Sequence, residues 1–154
     1  MSDSQSQITD LLYTYGLLID SGDFDAVGRH FAHAKILNDR NDHAVEGAEN
    51  IAAMYRRTTR IYPETGTPRT RHVFTNPIVS VDEAAGTATL TAIFTVYQQT
   101  ESFPLQPIII GHYDDTFERV DGVWRYASKK MNTDLVGDLS AHLLMDLKSA
   151  ADPV

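Results

Sequence analysis

Near residue 70 the hydrophobic periodicity of this chain changes from helical to strand-like, and few architectures accommodate that order. Upstream, Ile8, Leu11, Leu12, Tyr15, Leu18 and Ile19 recur at helical spacing, which predicts a helix over residues 6–20. Ser6 reads as its N-cap and Ser21-Gly22 as its stop. Tyr13 and Leu17 add apolar side chains to its other faces, so the helix is expected to be buried on more than one side, with Asp10 and Thr14 left for solvent. Asp23 reads as the N-cap of a short second helix carrying Phe24, Val27 and Phe31. Residues 33–45 are polar apart from Ile36-Leu37 and read as a short strand and a turn. A third helix is expected from about Gly47 to Arg60, with Ala48, Ile51, Tyr55 and Thr58 inward, before a loop containing Pro63, Gly66 and Pro68.

Downstream, Arg71–Asp82 is a strand in which Pro77 implies a bulge or a sheet edge. Thr87–Gln99 alternates: Thr91, Ile93, Thr95 and Tyr97 share one face, and Ala88, Leu90, Ala92, Phe94 and Val96 share the other. Gln106–Val120 and Val123–Asn132 follow, joined by the two-residue turn Asp121-Gly122. Leu139–Ala150 reads as a closing amphipathic helix with Leu143, Leu144 and Leu147. Helices first and consecutive antiparallel strands afterwards predict an α+β fold, one curved sheet with helices on its concave side.

The length, 154 residues, fits a single domain over 1–154, with 136–154 as a C-terminal helical extension. With Lys+Arg 13 against Asp+Glu 21, the net charge of −8 repels phosphate backbones, so nucleic acid is not an expected partner. No cysteine is present, which removes disulfides, thiolate nucleophiles and Cys-based zinc sites. No apolar run reaches the ~18 residues of a membrane span. The first residues have neither a basic flank nor an apolar core, and a cytoplasmic protein is expected.

The sequence lacks a dinucleotide fingerprint, a phosphate loop, His-Glu-x-x-His and Gly-x-Ser-x-Gly. Its chemistry therefore rests on six histidines. His30 and His33 lie near a helix end with no acidic cluster in sequence, and read as solvated or capping residues. His43 reads as surface, and His142 as surface or interface. His72 opens a long strand, where an inward imidazole needs a partner. Asp20 is one candidate, an anion at a helix C-terminus that an imidazolium would offset. It falls ~140° from the centre of the apolar stripe on an ideal helical wheel, so a merely polar helix end fits it as well.

Taken in order, Tyr15-Gly-Leu-Leu-Ile-Asp20-Ser-Gly-Asp23-Phe24-Asp25, Phe31-Ala32, Gly47-x-x-x-Ile51, Arg71-His72-x-x-x-Asn76, Gly111-His-Tyr113-x-Asp115 and Asp121-Gly-Val-Trp124 resemble the SnoaL-like branch of the nuclear-transport-factor-2-like superfamily. Its members include scytalone dehydratase, bile-acid 7α-dehydratase and hexachlorocyclohexane dehydrochlorinase. The resemblance covers about residues 7–135 and implies a cone: a bent antiparallel sheet over three helices with a deep apolar pocket. It also implies homodimers or homotrimers packed through the sheet.

In those enzymes an Asp at the end of the first helix and a His at the start of a long strand form a catalytic dyad, which by position match Asp20 and His72. Tyr15 matches a tyrosine of the bile-acid enzyme, and Leu37 lies near a tryptophan of the dehydrochlorinase. Where scytalone dehydratase has Tyr before its Asp this chain has Ile19, and where many relatives have Arg after the fourth-strand Gly it has His112. These matches imply a cofactor-independent, metal-free lyase or isomerase acting on a small, mostly apolar cyclic substrate by Asp–His general acid/base catalysis. Beside the dyad, Tyr55 is placed at the opening, His112 as a secondary proton-transfer candidate, and Thr91, Ile93, Thr95 and Tyr97 on the hollow side of the sheet. Trp124 and Tyr126 read as packing residues and Asp115 as structural. The alternative is a non-catalytic ligand-binding or assembly module, with Asp20 and His72 as a structural ion pair.

Overall fold

The computed structural model describes residues 3–145, which form three helices and one six-stranded mixed sheet. Helix α1 spans Asp3–Ser21, so Ser6 lies inside it rather than at its cap. Asp3 occupies the first turn, where an anion meets the positive end of the helix dipole, and accepts from Gln7 Nε2 at 2.6 Å. Gly22, at φ 78°, ends the helix in the left-handed conformation a side chain disfavours. Ile8, Leu12, Tyr15 and Ile19 form the inward stripe. Tyr13 and Leu17, expected inside, are 44% and 72% exposed, because sheet and helices cover one side of α1 only.

Asp23 caps α2 (Phe24–His30) by accepting from the Ala26 N–H at 2.9 Å. The polar stretch after it forms a small hairpin, β1 (Lys35–Asn38) and β2 (Asn41–Glu46), one strand more than its composition suggests. Helix α3 (Ala48–Thr58) buries Ile51, Ala52 and Tyr55.

The predicted meander follows: β3 (Thr70–Asp82), β4 (Thr87–Thr100), β5 (Phe103–Val120) and β6 (Val123–Val136) pair antiparallel in succession. Strand order is β2-β1-β6-β5-β4-β3, open at both edges, and β1 runs parallel to β6. Pro77 satisfies both readings of its irregularity: β3 is an edge strand, and its register shifts between Thr75 and Ile78. Asp121 and Gly122 both take positive φ, the geometry of a tight type I′ hairpin.

The sidedness of β4 is opposite to the expectation. Ala88, Leu90, Ala92, Phe94 and Val96 are buried in the core, whereas Thr91, Ile93 and Tyr97 are exposed and Thr95 is half-buried. The purely apolar face is the one that helices can remove from water, so the threonine face turns outward. Residues Leu139–Met145 are not helical. Leu143 N–H reaches Leu139 O, but Leu144 N–H then bonds Thr58 O and Leu143 bridges Thr59, which draws the chain onto the end of α3. The remainder of the expected closing helix, including Leu147, lies outside the described residues. No helix among the described residues is long and apolar enough to cross a membrane.

One ionic pair is enclosed by this core. Lys129 Nζ lies 2.8 Å from Asp115 Oδ2, and both side chains have zero solvent exposure. Asp115 therefore is structural as expected, and Trp124 and Tyr126 are buried packing residues. Burial pushes the Asp115 carboxyl up to about 6 against the lowering effect of Lys129. Burial likewise pulls the Lys129 ammonium down. Lys129→Met should destabilise the protein by ~3–5 kcal/mol in urea unfolding, since it strands the carboxylate. The double variant Lys129→Met/Asp115→Leu should recover most of that loss.

Candidate active site

Asp20 is held in the last turn of α1 and His72 at the start of β3, and the two elements are brought together by a missing side chain. A Cβ on Gly16 would stand 2.6 Å from Phe74 Cε2 and 3.8 Å from His72 Cβ. Glycine thus lets α1 settle against the inward side chains of β3. Thr70, His72 and Phe74 alternate with the exposed Arg71, Val73 and Thr75, so all three face the helices.

The Asp20 carboxylate collects three donors. Thr70 Oγ1 donates to Oδ1 at 2.9 Å, the His72 backbone N–H to Oδ2 at 2.8 Å, and His72 Nδ1 lies 2.7 Å from Oδ1. The two side chains are 4% and 7% exposed. Burial raises the Asp20 carboxyl, and this is the largest single effect. The His72 hydrogen bond and charge, its backbone N–H and the Thr70 hydroxyl outweigh burial and hold the group below its usual range. An ionised carboxylate can only accept, so the neutral imidazole carries its proton on Nδ1 and leaves Nε2 with a free lone pair.

An aromatic wall adjoins the dyad. The Tyr15 ring meets His72 edge-on at 6.0 Å, and its hydroxyl lies 3.3 Å from the Tyr55 hydroxyl. Burial raises both phenols well above their ordinary values, so they stay protonated and act as donors. Tyr113 continues the wall, stacked on Phe94 at 4.5 Å. Lys129 lies behind it, Nζ 3.3 Å from the Tyr113 ring centre and 4.9 Å from that of Tyr15. A groove of about 460 Å³ opens beside the dyad, with Asp20, Thr70 and Gln98 in its lining together with Arg69, Arg71 and Tyr97.

Of the expected site residues, Asp20, His72, Tyr15 and Tyr55 converge. His112 does not: it faces outward, with Nδ1 2.8 Å from Asp134, and that hydrogen bond raises its pKa. Alternation along β5 gives the inward place to Tyr113 instead. Leu37 is half-buried, and buried Ile36 takes the inward position of β1. Thr91, Ile93 and Thr95 lie on the outer face, away from the dyad, whereas Tyr97, on the same face, lines the groove that Asp20 and Thr70 also line. His30, expected to be solvated, instead reaches across to α1, its Nε2 2.9 Å from Leu11 O.

Two features escape sequence reading. Lys129 is inward because β6 slips register against β5 between Tyr126 and Ser128, so Trp124, Tyr126 and Lys129 share a face that strict alternation would not give them. His142 is half-buried, and its Nδ1, itself shut off from solvent, has no hydrogen-bond partner. Burial first, and then the charge of His72, bring its pKa down to about 4, while Asp20 acts in the opposite sense. Among the described residues no group of three or more His, Asp or Glu side chains gathers as a metal site.

A family profile described as the SnoaL-like domain matches residues 1–130. No curated protein matches the chain. Among solved structures, an NTF2-like protein with a cystatin-like fold from Novosphingobium aromaticivorans is similar at 22% identity and a TM-score of 0.67, with 89% of this chain and 85% of that one covered. A protein proposed as a scytalone dehydratase from the same organism is similar at 16% identity and TM-score 0.67, covering 88% and 87%. The beta subunit of a proposed aromatic-ring-hydroxylating dioxygenase, also from that organism, is similar at 17% identity and TM-score 0.67, covering 90% and 95%. At these identities the likeness is one of fold.

A carboxyl held below its unfolded value of ~3.9 stabilises the fold above that value, and the contribution is lost as pH falls through the lower folded value. Asp20→Asn should therefore lower stability at pH 7 by ~1–3 kcal/mol, since an amide cannot accept all three donors. The deficit relative to wild type should shrink below pH 4, measured by urea unfolding across pH.

Proposed function

The chain belongs to the SnoaL-like domain family, and on that premise we propose that it is a cofactor-independent lyase or isomerase, eliminating water or a similar leaving group from a small, mostly apolar cyclic substrate. The observation that carries this reading is the 2.7 Å contact between His72 Nδ1 and the Asp20 carboxylate, from which we infer the tautomer with Nε2 as the base.

His72 Nε2 takes a proton from the carbon next to a carbonyl. The C–H electron pair becomes the new C=C bond as the C–O bond to the leaving hydroxyl breaks. The imidazolium proton then passes to the departing hydroxide, releasing water and restoring the neutral ring. Asp20 stabilises the transient imidazolium, as an adjacent anion must in a buried site. The Tyr15–Tyr55 hydroxyl pair donates a hydrogen bond to the leaving oxygen, a role that suits phenols raised by burial. Isomerisation uses the same base, with the proton returned to a different carbon. Likeness in fold to a proposed scytalone dehydratase supports the lyase reading.

The outward face of β3 and β4, where Val73 and Ile93 are about 40% and 38% exposed and Tyr97 adds an aromatic ring, is the surface proposed to join copies into a homodimer or homotrimer. Light scattering should return two or three times the 17.2 kDa chain mass, and a monomer would remove this part of the reading.

His72→Asn is the decisive variant, because an asparagine amide can still donate to Asp20 but is no base. With 3-hydroxycyclohexanone and related cyclic β-hydroxyketones, followed by enone absorbance, the variant should lose ~10²–10⁴-fold in kcat. Its melting temperature should stay close to wild type. Turnover equal to wild type would eliminate the mechanism. Absence of turnover by the wild-type protein on any cyclic alcohol would favour the non-catalytic module.

A further inference from the structure

We propose that His142 is a second substrate-binding histidine of this site, whose unpaired Nδ1 hydrogen-bonds a carbonyl oxygen of the ligand while His72 moves the proton. The proposal rests on the reading of His72 as the base and adds the group that recognises the ligand's oxygen.

The argument starts from how residues 141–144 are held. Ala141 O accepts from Tyr62 Oη at 2.6 Å and from Gln98 Nε2 at 3.1 Å. His142 O accepts from the Arg60 N–H at 2.8 Å, and Leu144 N–H donates to Thr58 O at 2.9 Å. Leu143 closes the set by bridging Thr59. The segment is therefore a strap fastened across the end of α3 and onto β4. Gln98 is also the Cα partner of Thr70, whose hydroxyl donates to Asp20. The strap thus delivers His142 beside the dyad, close enough for the charges of His72 and Asp20 to act on it.

Against this fastening, the bare Nδ1 stands out. The backbone groups that anchor the strap are paired, while two buried side-chain atoms at the fastening, His142 Nδ1 and Gln98 Oε1, are left without a partner. A buried polar atom in that condition is costly unless something it binds satisfies it. Burial also keeps the ring neutral at ordinary pH. That neutrality fits the place. When His72 takes a proton it becomes an imidazolium, and a second cation alongside would oppose that step, whereas a neutral ring does not. A neutral imidazole with Nδ1–H can donate to a carbonyl oxygen and stabilise the negative charge that gathers there as the neighbouring C–H breaks. The ligand class is then a cyclic ketone or β-hydroxyketone, its carbonyl on His142, its acidic C–H on His72 and its leaving hydroxyl on the Tyr15–Tyr55 pair.

The test uses protein labelled with 15N-histidine and 2-cyclohexen-1-one, a product-like ketone, as the probe. Saturating enone should shift the His142 ring nitrogens in wild type and equally in His72→Asn, which separates ligand recognition from proton transfer. His142→Phe, similar in volume but with no hydrogen bond to offer, should weaken enone binding at least tenfold with little change in melting temperature. It should also lower kcat with 3-hydroxycyclohexanone by roughly 100-fold, and His142→Gln should restore most of both. Unmoved His142 nitrogens at saturating enone, or wild-type enone affinity in His142→Phe, would overturn the proposal. If His142→Phe does not fold, the wild-type titration decides. If His72→Asn turns over normally, the base assignment fails, and the enone titration still reports on His142 independently.

Discussion

A hydrogen-bonded carboxylate joins the helical layer to the edge of the sheet, and the candidate site is built around it. Asp20 sits where the α1 dipole disfavours an anion and where burial opposes its charge. It remains ionised because β3 turns a hydroxyl, a backbone N–H and an imidazole toward it within 2.9 Å. The same contacts dictate which nitrogen of His72 is free. Structural tethering and chemical poise are one arrangement, and Gly16 makes it sterically accessible by letting α1 approach Phe74 and His72.

Behind the dyad the interior is more polar than its aromatic lining suggests. Lys129 and Asp115 neutralise each other within a box of Tyr15, Tyr113 and Tyr126. Such a pair is weak as a source of stability, because desolvation cancels much of the attraction. It does place a cation behind the ring of Tyr15, whose hydroxyl meets that of Tyr55. The strap that carries His142 closes the arrangement from the other end.

Much of this was legible in the linear chain, and the failures share a cause. The shift from helical to alternating period located three helices and four strands, and the Asp23 cap, Pro77 bulge and Asp121-Gly122 turn were readable because each depends on local backbone chemistry. The order of short motifs picked out Asp20, His72 and Tyr15. By contrast, polarity along β4 suggests the hollow side for Thr91, Ile93, Thr95 and Tyr97, whereas that face turns outward, and Tyr97 reaches the groove beside Asp20 from there. Mixed polarity resembles a binding surface, but burial is decided by what the helices can cover. His112 was set aside by the pleat, which gives the inward position to Tyr113.

Residue order alone determined the fold class and the bounds of the first three helices and the four long strands to within a few residues, because periodicity, capping and turn chemistry act over a few neighbouring residues, and the resemblance of short motifs pointed to Asp20 and His72. The tertiary structure decided which face of the sheet is inside, that Lys129 is buried opposite Asp115, and that the segment carrying His142 is fastened onto the end of α3 with its Nδ1 unpaired. Those outcomes depend on register slips and on contacts between segments far apart in the chain. The bulge in β6 between Tyr126 and Ser128 moves the side chains after it to the opposite face until a second slip between Thr133 and Leu135, and nothing local to the sequence marks where either slip occurs.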